Sequence, residues 1–563
     1  MVKNSRFLLA GALLLSMPFS VLGGTISVHP KHKDIGFVNS PSSVRTECLL
    51  DAGLPGRTTT VYQNSAVEPF LAVNPKNPCQ AVAVWQQDRI SNGGALEIGI
   101  AHTENGGKKW SRTIIPFQRC NGGITARSSD PWVSYSADGK KVYLTVLNFN
   151  DIIDPNTQNQ QGITALYSED NGKSWSNPIF VKANTFTAPI DDKNSITADP
   201  VIADNAYLVW DTFLSSESFH SDTWFTRTTT GGLSWEDSRP IYNPFLDPEL
   251  KSNGIENDSQ TIGNIVVSLP NGELLCFMNR IYARPGTTDE EYINDTFPFK
   301  FLTSDIAVIR SSDKGLTWNQ TATQIAAGDA NNTYTCGYEI QAGKIVKGLG
   351  TLLRTAAGQA IVFSVAVDKK TGALYVVWQD ARFNTPGNQL SQIVLSASHD
   401  NGVTWSTPVK VSRTPDNAPN PQAFTPSVAV NDRGQVGILY HDFRCNSSAC
   451  SEKTNTNTWF ALYNNVLPAA GSTGMGLDFV EEKGLSGHPY IVENGPVTGL
   501  GVMTNGDYQG LEAVNNTFYA LYTESFKGPF KPATTIFDTP ESGKLILDNN
   551  RRTAPFFSKI KVK

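Results

Sequence analysis

The stretch Ser168-Glu169-Asp170-Asn171-Gly172-Lys173-Ser174-Trp175 is repeated along the chain. It returns as Ser311-Ser312-Asp313-Lys314-Gly315-Leu316-Thr317-Trp318 and as Ser398-His399-Asp400-Asn401-Gly402-Val403-Thr404-Trp405. Weaker copies run from His102 to Trp110 and from Thr228 to Trp235. Asp or Asn beside Gly supplies the positive φ of a tight turn. The Asp carboxylate can accept hydrogen bonds from the turn's own N–H groups, and the Trp can fold back over the turn. Each copy follows an alternating strand such as Ile306-Ala307-Val308-Ile309-Arg310. The unit is therefore strand, turn, Trp, strand. Such a hairpin cannot bury its own apolar face, so it needs neighbouring copies. Trp175, Trp318 and Trp405 are expected to be largely buried beside their turns.

A second repeat runs out of phase with the first. It is an apolar strand of small residues, a turn, and a strand ending in an aromatic with Asp or Arg close behind. Examples are Glu68-Pro69-Phe70-Leu71-Ala72-Val73 before Ala81-Val82-Ala83-Val84-Trp85, and Asp130-Pro131-Trp132-Val133-Ser134-Tyr135 before Val142-Tyr143-Leu144-Thr145-Val146. Seven copies are readable. Their crowded first strands suit the axis of a β-propeller, with Phe70, Val133, Val201, Val266, Val365, Val428 and Leu511 on them. The predicted fold is all-β, a propeller of four-stranded antiparallel blades, seven favoured with six as the alternative.

The 563 residues carry a formal charge of -6 with 17% charged residues, and no basic stripe suits nucleic acid. Residues 1–24 read as a signal peptide, with Lys3 and Arg6 before the apolar run Phe7 to Val21 and small residues at Gly23-Gly24. The run is short for a membrane span, and no later run could cross a bilayer. The expected location is secreted, extracellular or periplasmic. Residues 25–60 read as a leader wrapping the body and supplying a closing strand, 61–535 as the propeller, and 536–563 as a basic tail, a peripheral strand or loose end. The stretch Asp289 to Phe299 and the loop from Asn446 to Asn457 read as insertions. Seven cysteines follow the signal peptide: Cys48, Cys79, Cys120, Cys276, Cys336, Cys445 and Cys450. Cys445 and Cys450 flank a short polar loop and form the best local pair. Cys276 lies in an apolar run and suits a buried thiol. No Cys/His spacing suggests a metal, and no cofactor motif is present.

The repeated turn resembles the Asp-box of sialidases and related propellers. Five copies speak for the fold, and each copy reads as a turn clamp rather than as chemistry. The resemblance implies a glycan ligand and a site at one end of the central channel. There, arginine forks would hold a substrate carboxylate, and a Tyr activated by a Glu would attack the anomeric carbon with retention. Matched residue by residue, Tyr508 opens the last inner strand in Asp507-Tyr508-Gln509-Gly510-Leu511, and Glu256 is the acid placed to assist it. Arg89, Arg280, Arg382 and Arg444 are the candidates for the carboxylate cluster. Where sialidases open the first inner strand with Arg-Ile-Pro or a close variant, this chain has Glu68-Pro69-Phe70.

Asp88-Arg89, Asp380 with Arg382, and Asp442 with Arg444 recur at one place in three copies, which equally suits ion pairs between blades. Three functions therefore stay open. The first is a sialidase-like hydrolase of sialic-acid-type sugars. The second is a non-catalytic propeller that binds glycan or protein. The third is an Asp-box glucanase, for which the cleft would be lined by carboxylates and Trp rather than Arg.

Overall fold

The chain folds as a β-propeller in the computed structural model. The structure describes residues 25–36, 57–115, 121–123, 125–149, 161–184, 190–213, 220–255, 259–283, 286–288, 302–327, 335–341, 344–346, 352–357, 362–380, 382–383, 391–418, 421–444, 455–465, 476–497, 502–503, 505–527, 534–539 and 543–563. Residues 1–24, Glu256, the Asp289–Phe299 insertion, Cys48, Cys120, Cys445 and Cys450 lie outside them, as does most of the loop from Asn446 to Asn457.

Seven units of antiparallel strands follow one another among the described residues. Unit 1 runs Ala66–Val73, Ala81–Arg89, Ala95–Thr103 and Ser111–Thr113. The first strands of the next five units are Arg127–Tyr135, Ile190–Ala198, Gln260–Ser268, Ser364–Val367 and Ala423–Val430. Unit 7 starts with Gly510–Val514 and Thr517–Lys527. Its third strand is Arg551–Val562, and Ile26–Val28 pairs onto that strand as the fourth. The first and last described strands are thus hydrogen-bonded in one sheet. The basic tail, read from sequence as peripheral, is an interior strand of this unit because Phe557 packs on one face toward unit 1 and Ile560 and Val562 on the other toward unit 6. The first strands of the seven units touch in order, and that of unit 7 returns to that of unit 1, closing a ring.

The energetics follow from this ring. Each sheet is sandwiched between two others, so its second strand must be apolar on both faces. The core clusters bridge neighbours. One joins Phe277 and Val308 of unit 4 to Val376 and Trp378 of unit 5, and another joins Leu439 and Phe460 of unit 6 to Phe518 and Tyr522 of unit 7. Trp85, Trp210 and Tyr375 are fully buried on second strands. Truncating one such aromatic costs roughly 3–5 kcal/mol.

One expectation fails in unit 3. Val201 is 73% exposed and sits outside the strand. Pro200-Val201-Ile202 is the turn after Ile190–Ala198, where the Asp199 carboxylate accepts from the N–H groups of Val201 and Ile202. A short apolar run between polar residues looks like a strand from sequence, but the true first strand, IDDKNSITA, is disguised by its charges.

The repeated turns join third to fourth strands. Asn171 and Gly172 take φ of 63° and 78°, and Lys314 and Gly315 take 59° and 87°. Asp313 accepts from Thr317 N at 2.9 Å, Thr317 Oγ1 at 2.6 Å and Ser311 Oγ at 2.7 Å. Asp170 and Asp400 repeat the pattern. The turns also clamp the preceding unit: Asn171 Nδ2 donates to the Thr103 carbonyl, and the Arg227 guanidinium donates to the Lys314 carbonyl. A Cβ at Gly315 would collide with the Phe225 ring of that unit. Trp175, Trp318 and Trp405 are half-buried rather than largely buried, because the turn lies on the rim.

Candidate functional site

The antiparallel order puts the starts of the first strands at the channel end opposite the repeated turns. Near these starts, five of the seven first strands carry a bulge. At each bulge one residue is left-handed: Glu68 at φ 53°, Asp130 at 47°, Lys193 at 47°, Gly263 at 71° and Thr425 at 48°. Four of these are not glycine, so strain is held at four equivalent positions. A bulge re-aims a side chain, and in units 1, 2 and 3 the re-aimed side chains converge. Lys193 Nζ lies 3.3 Å from Asp130 Oδ1 and 3.7 Å from Glu68 Oε1. It reaches Asp507 Oδ2, just before the first strand of unit 7, at 2.8 Å.

Three carboxylates therefore share one ammonium in a nearly closed place. Burial pushes the Glu68 carboxyl up to about 7, and the charges of Asp130 and Asp507 add to that while Lys193 opposes it. Burial raises Asp130 as well. Lys193 is held protonated: burial disfavours its charge, but Asp130, Asp507, Glu68 and Asp192 outweigh that. Glu68 is fixed from several sides. Gln86 Nε2 donates to its Oε2, and Asp507 N donates to its Oε1 at 3.3 Å. Gly506 packs its Cα against the Glu68 backbone, and a Cβ there would strike it.

Two residues further along the same strands, aromatic rings meet beneath the acids. Phe70 and Trp132 stack with centroids 3.6 Å apart, and Tyr508 lies 5.2 Å from Trp132 and 6.3 Å from Phe70. Trp132 also packs against the cluster shared by units 4 and 5 and against that of units 2 and 3, so its ring spans the channel. Phe70 and Trp132 are half-buried. The mouth is thus an acidic wall over an aromatic floor.

Of the residues expected from sequence, Tyr508 is at this mouth. Its hydroxyl donates to the Pro131 carbonyl at 3.3 Å. Burial, then the charges of Asp130, Glu68, Asp507 and Asp192, push its pKa well above the phenol range. Such a phenol resists becoming a nucleophile. Glu256 lies outside the described residues. The four arginines each answer to local partners. Arg280 is fully buried, paired to Asp305 at 2.7 Å and Asp247 at 3.1 Å. Arg382 pairs with Asp380 at 2.7 Å. Arg444 binds Asp442 and reaches Glu482 at 2.6 Å. Arg89 donates to the Gln86 side chain and the Gly94 carbonyl. The Asp380 and Asp442 pairs form within units rather than between them, since both partners leave the same second strand two residues apart.

The sequence reading missed Glu68, Asp130, Lys193 and Asp507. A signal was there: acid-Pro-aromatic occurs twice at the start of a first strand, as Glu68-Pro69-Phe70 and Asp130-Pro131-Trp132. Lys193 had none, because the first strand of unit 3 was placed one segment too late. Among the described residues, no group of three or more His, Cys, Asp or Glu is arranged to hold a metal ion, and no helix is long and apolar enough to cross a membrane.

No family model and no curated protein matches the chain. Among solved structures it is similar to a protein of unknown function from Dyadobacter fermentans, at 13% identity and TM-score 0.40, over 90% of this chain and 98% of that one. It is similar to a Hadza microbial sialidase at 12% identity and TM-score 0.40, over 77% of this chain and 72% of that one. It is also similar to the GH93 alpha-L-arabinofuranosidase of Fusarium graminearum at 12% identity and TM-score 0.39, over 69% of this chain and 91% of that one.

Proposed function

We propose that the protein is a secreted glycoside hydrolase that acts on a neutral sugar at the channel mouth, using the carboxyl groups around Lys193. The observation that carries this reading is the convergence of Glu68, Asp130 and Asp507 on one ammonium above the Phe70–Trp132 floor. Glycoside hydrolysis needs one carboxyl that is protonated and one that is ionised. Burial raises Glu68 toward neutrality, which suits an acid, while Asp507 at 2.8 Å from Lys193 suits the ionised partner. Aromatic faces suit the apolar side of a sugar ring.

The sialic-acid reading fares less well. A carboxylate substrate would meet three acids and one committed Lys, and the four candidate arginines are already engaged. The mouth fits the carboxylate-and-Trp cleft of the glucanase alternative better.

The test is turnover by the purified protein of a panel of neutral aryl glycosides, pentosides and hexosides, beside an aryl sialoside. Activity on a neutral member, lost in Glu68→Gln and Asp507→Asn with the fold retained, is the expected result. Turnover of the sialoside alone would restore the acidic-sugar reading. Binding of glycan without turnover of any member would leave the non-catalytic propeller.

A further inference from the structure

Behind the mouth, unit 3 holds a second pair of acids that the Lys193 hub does not absorb. Asp192 on the first strand and Asp211 on the second are direct partners in the antiparallel register. Their neighbours fix the faces: Asp191 accepts from Trp210 Nε1 and Thr212 Oγ1 on one side. Asp192 and Asp211 therefore project together on the other side, the side on which Val209 packs toward unit 4. Directly opposed side chains on one face stand only about 5 Å apart at Cβ. Two ionised carboxylates at that spacing repel, and sharing a proton removes the repulsion.

The surroundings support this. Asp211 is fully buried, and neither of its oxygens has a hydrogen-bond partner among the described residues. Burial, and next the Asp192 charge, push its carboxyl well above the usual range. Asp192 is half-buried, and its Oδ1 accepts from Lys193 N at 2.9 Å. The other charges acting on Asp211 are Lys193, Asp130 and Asp191. The third strand presents Thr223 opposite Asp211, while Asp222 is one step away and bonded to His220. From unit 4, Asn264 Oδ1 accepts from Thr223, and its buried Nδ2 has no partner.

We propose that Asp192 and Asp211 form a carboxyl pair that shares a single proton at neutral pH, with Asp192 as its solvent-facing member. Resting on the hydrolase reading, the pair is a proton store for the mouth. As the bond from the anomeric carbon to the leaving oxygen breaks, Glu68 gives its proton to that oxygen and takes up the pair's proton in its place. The water whose oxygen bonds the anomeric carbon then returns a proton to the pair.

Infrared difference spectra of the full chain test the sharing without any substrate. The expected result is a protonated-carboxyl carbonyl band at pH 7 that shifts in D2O and is lost in Asp211→Asn, apart from the separate contribution of the Glu68 hub. In Asp192→Asn the remaining acid loses its like-charged neighbour, so the band's pH midpoint should fall by at least one unit. A band unchanged in Asp211→Asn, or a midpoint unmoved in Asp192→Asn, overturns the pair. If Asp211→Asn does not fold, the Asp192→Asn midpoint decides alone. The two readings separate cleanly. The expected spectra with no glycoside turnover would sink the hydrolase and keep the pair. Turnover with no such band would sink the pair and keep the hydrolase.

Discussion

Lys193 and Asp507 lie 314 residues apart, and their side chains meet at 2.8 Å across the channel mouth. Lys193 belongs to unit 3 and Asp507 to the approach to unit 7, so one ammonium ties distant parts of the ring. Replacing it with an apolar side chain leaves Glu68, Asp130 and Asp507 buried without their cation. Breaking a buried pair in this way costs about 3–5 kcal/mol. Lys193→Met is therefore expected to lower the melting temperature by several degrees. Without the ammonium the acids resist ionising still more, so the deficit should widen as pH rises from 5 to 8. Thermal melts at the two pH values check this, and a deficit that does not grow would contradict the hub.

Glu68 gives a pH dependence of the opposite kind. Its folded carboxyl is raised to about 7 from an ordinary 4.5. Below about 4.5 it is protonated in both folded and unfolded chains and contributes nothing. Between about 4.5 and 7 the unfolded chain ionises first, so the folded state loses stability, by at most about 3 kcal/mol for a shift of this size. Above about 7 the loss stays constant. Glu68→Gln removes this slope. Its melting temperature relative to the parent should rise from pH 4.5 to pH 8, whatever the fixed cost of altering the contacts to Gln86 and Asp507. A flat difference would show that Glu68 is ionised throughout.

The fold was legible because its two repeats each have a local physical cause. The Asp-Gly turn dictates its own hydrogen bonds, and the doubly covered second strand dictates continuous apolar runs such as Ala81-Val82-Ala83-Val84-Trp85. Unit 3 escaped because its first strand sends Lys193 to the mouth and carries the polar Asp191, Asp192 and Asn194 beside it, which erases the apolar pattern. The site was hard to read for a related reason. Its residues come from positions 68, 130, 193 and 507. Glu68, Asp130 and Lys193 meet because a bulge turns each side chain inward at the same step, Asp507 joins them from the approach to unit 7, and only the acid-Pro pairs at 68–69 and 130–131 hint at this. The arginines drew attention because Arg beside Asp reads alike for a substrate fork and for an internal pair.

The repeated turn makes a stability prediction independent of function. Asp313 is held down to about 2, first by the Thr317 hydroxyl and next by the Thr317 N–H. A carboxyl lowered in the fold stabilises above its unfolded value, and that stability fades as pH falls from about 4 toward 2. Asp313→Ala should cost about 1 kcal/mol at pH 7, discounted because the turn faces solvent, and the cost should vanish near pH 2. Trp318→Ala should cost about 2 kcal/mol, less than the roughly 3–5 kcal/mol of fully buried aromatics, because the ring is half-buried against Phe225 at 5.4 Å. Both are read from denaturant midpoints, and neither should alter the turnover proposed for the far end of the channel.

The arginines separate by burial. Arg280 is fully enclosed with Asp305 and Asp247, and it bonds the Tyr242 hydroxyl at 3.3 Å. It binds unit 4 to the end of unit 3. Arg280→Met leaves two buried acids without their cation and should cost about 3–5 kcal/mol. Arg382 pairs with Asp380, but its own side chain is 23% exposed. Arg382→Ala should cost about 1 kcal/mol, since water screens what remains. A substrate fork would behave otherwise. There, each arginine would leave stability nearly untouched on removal and cut turnover by orders of magnitude. Melting temperatures measured beside turnover of the preferred glycoside decide between the two. A stable Arg280→Met protein with abolished turnover would return Arg280 to the site. An unstable one, beside an Arg382→Ala protein of near-parental stability and turnover, would fix both as parts of the frame.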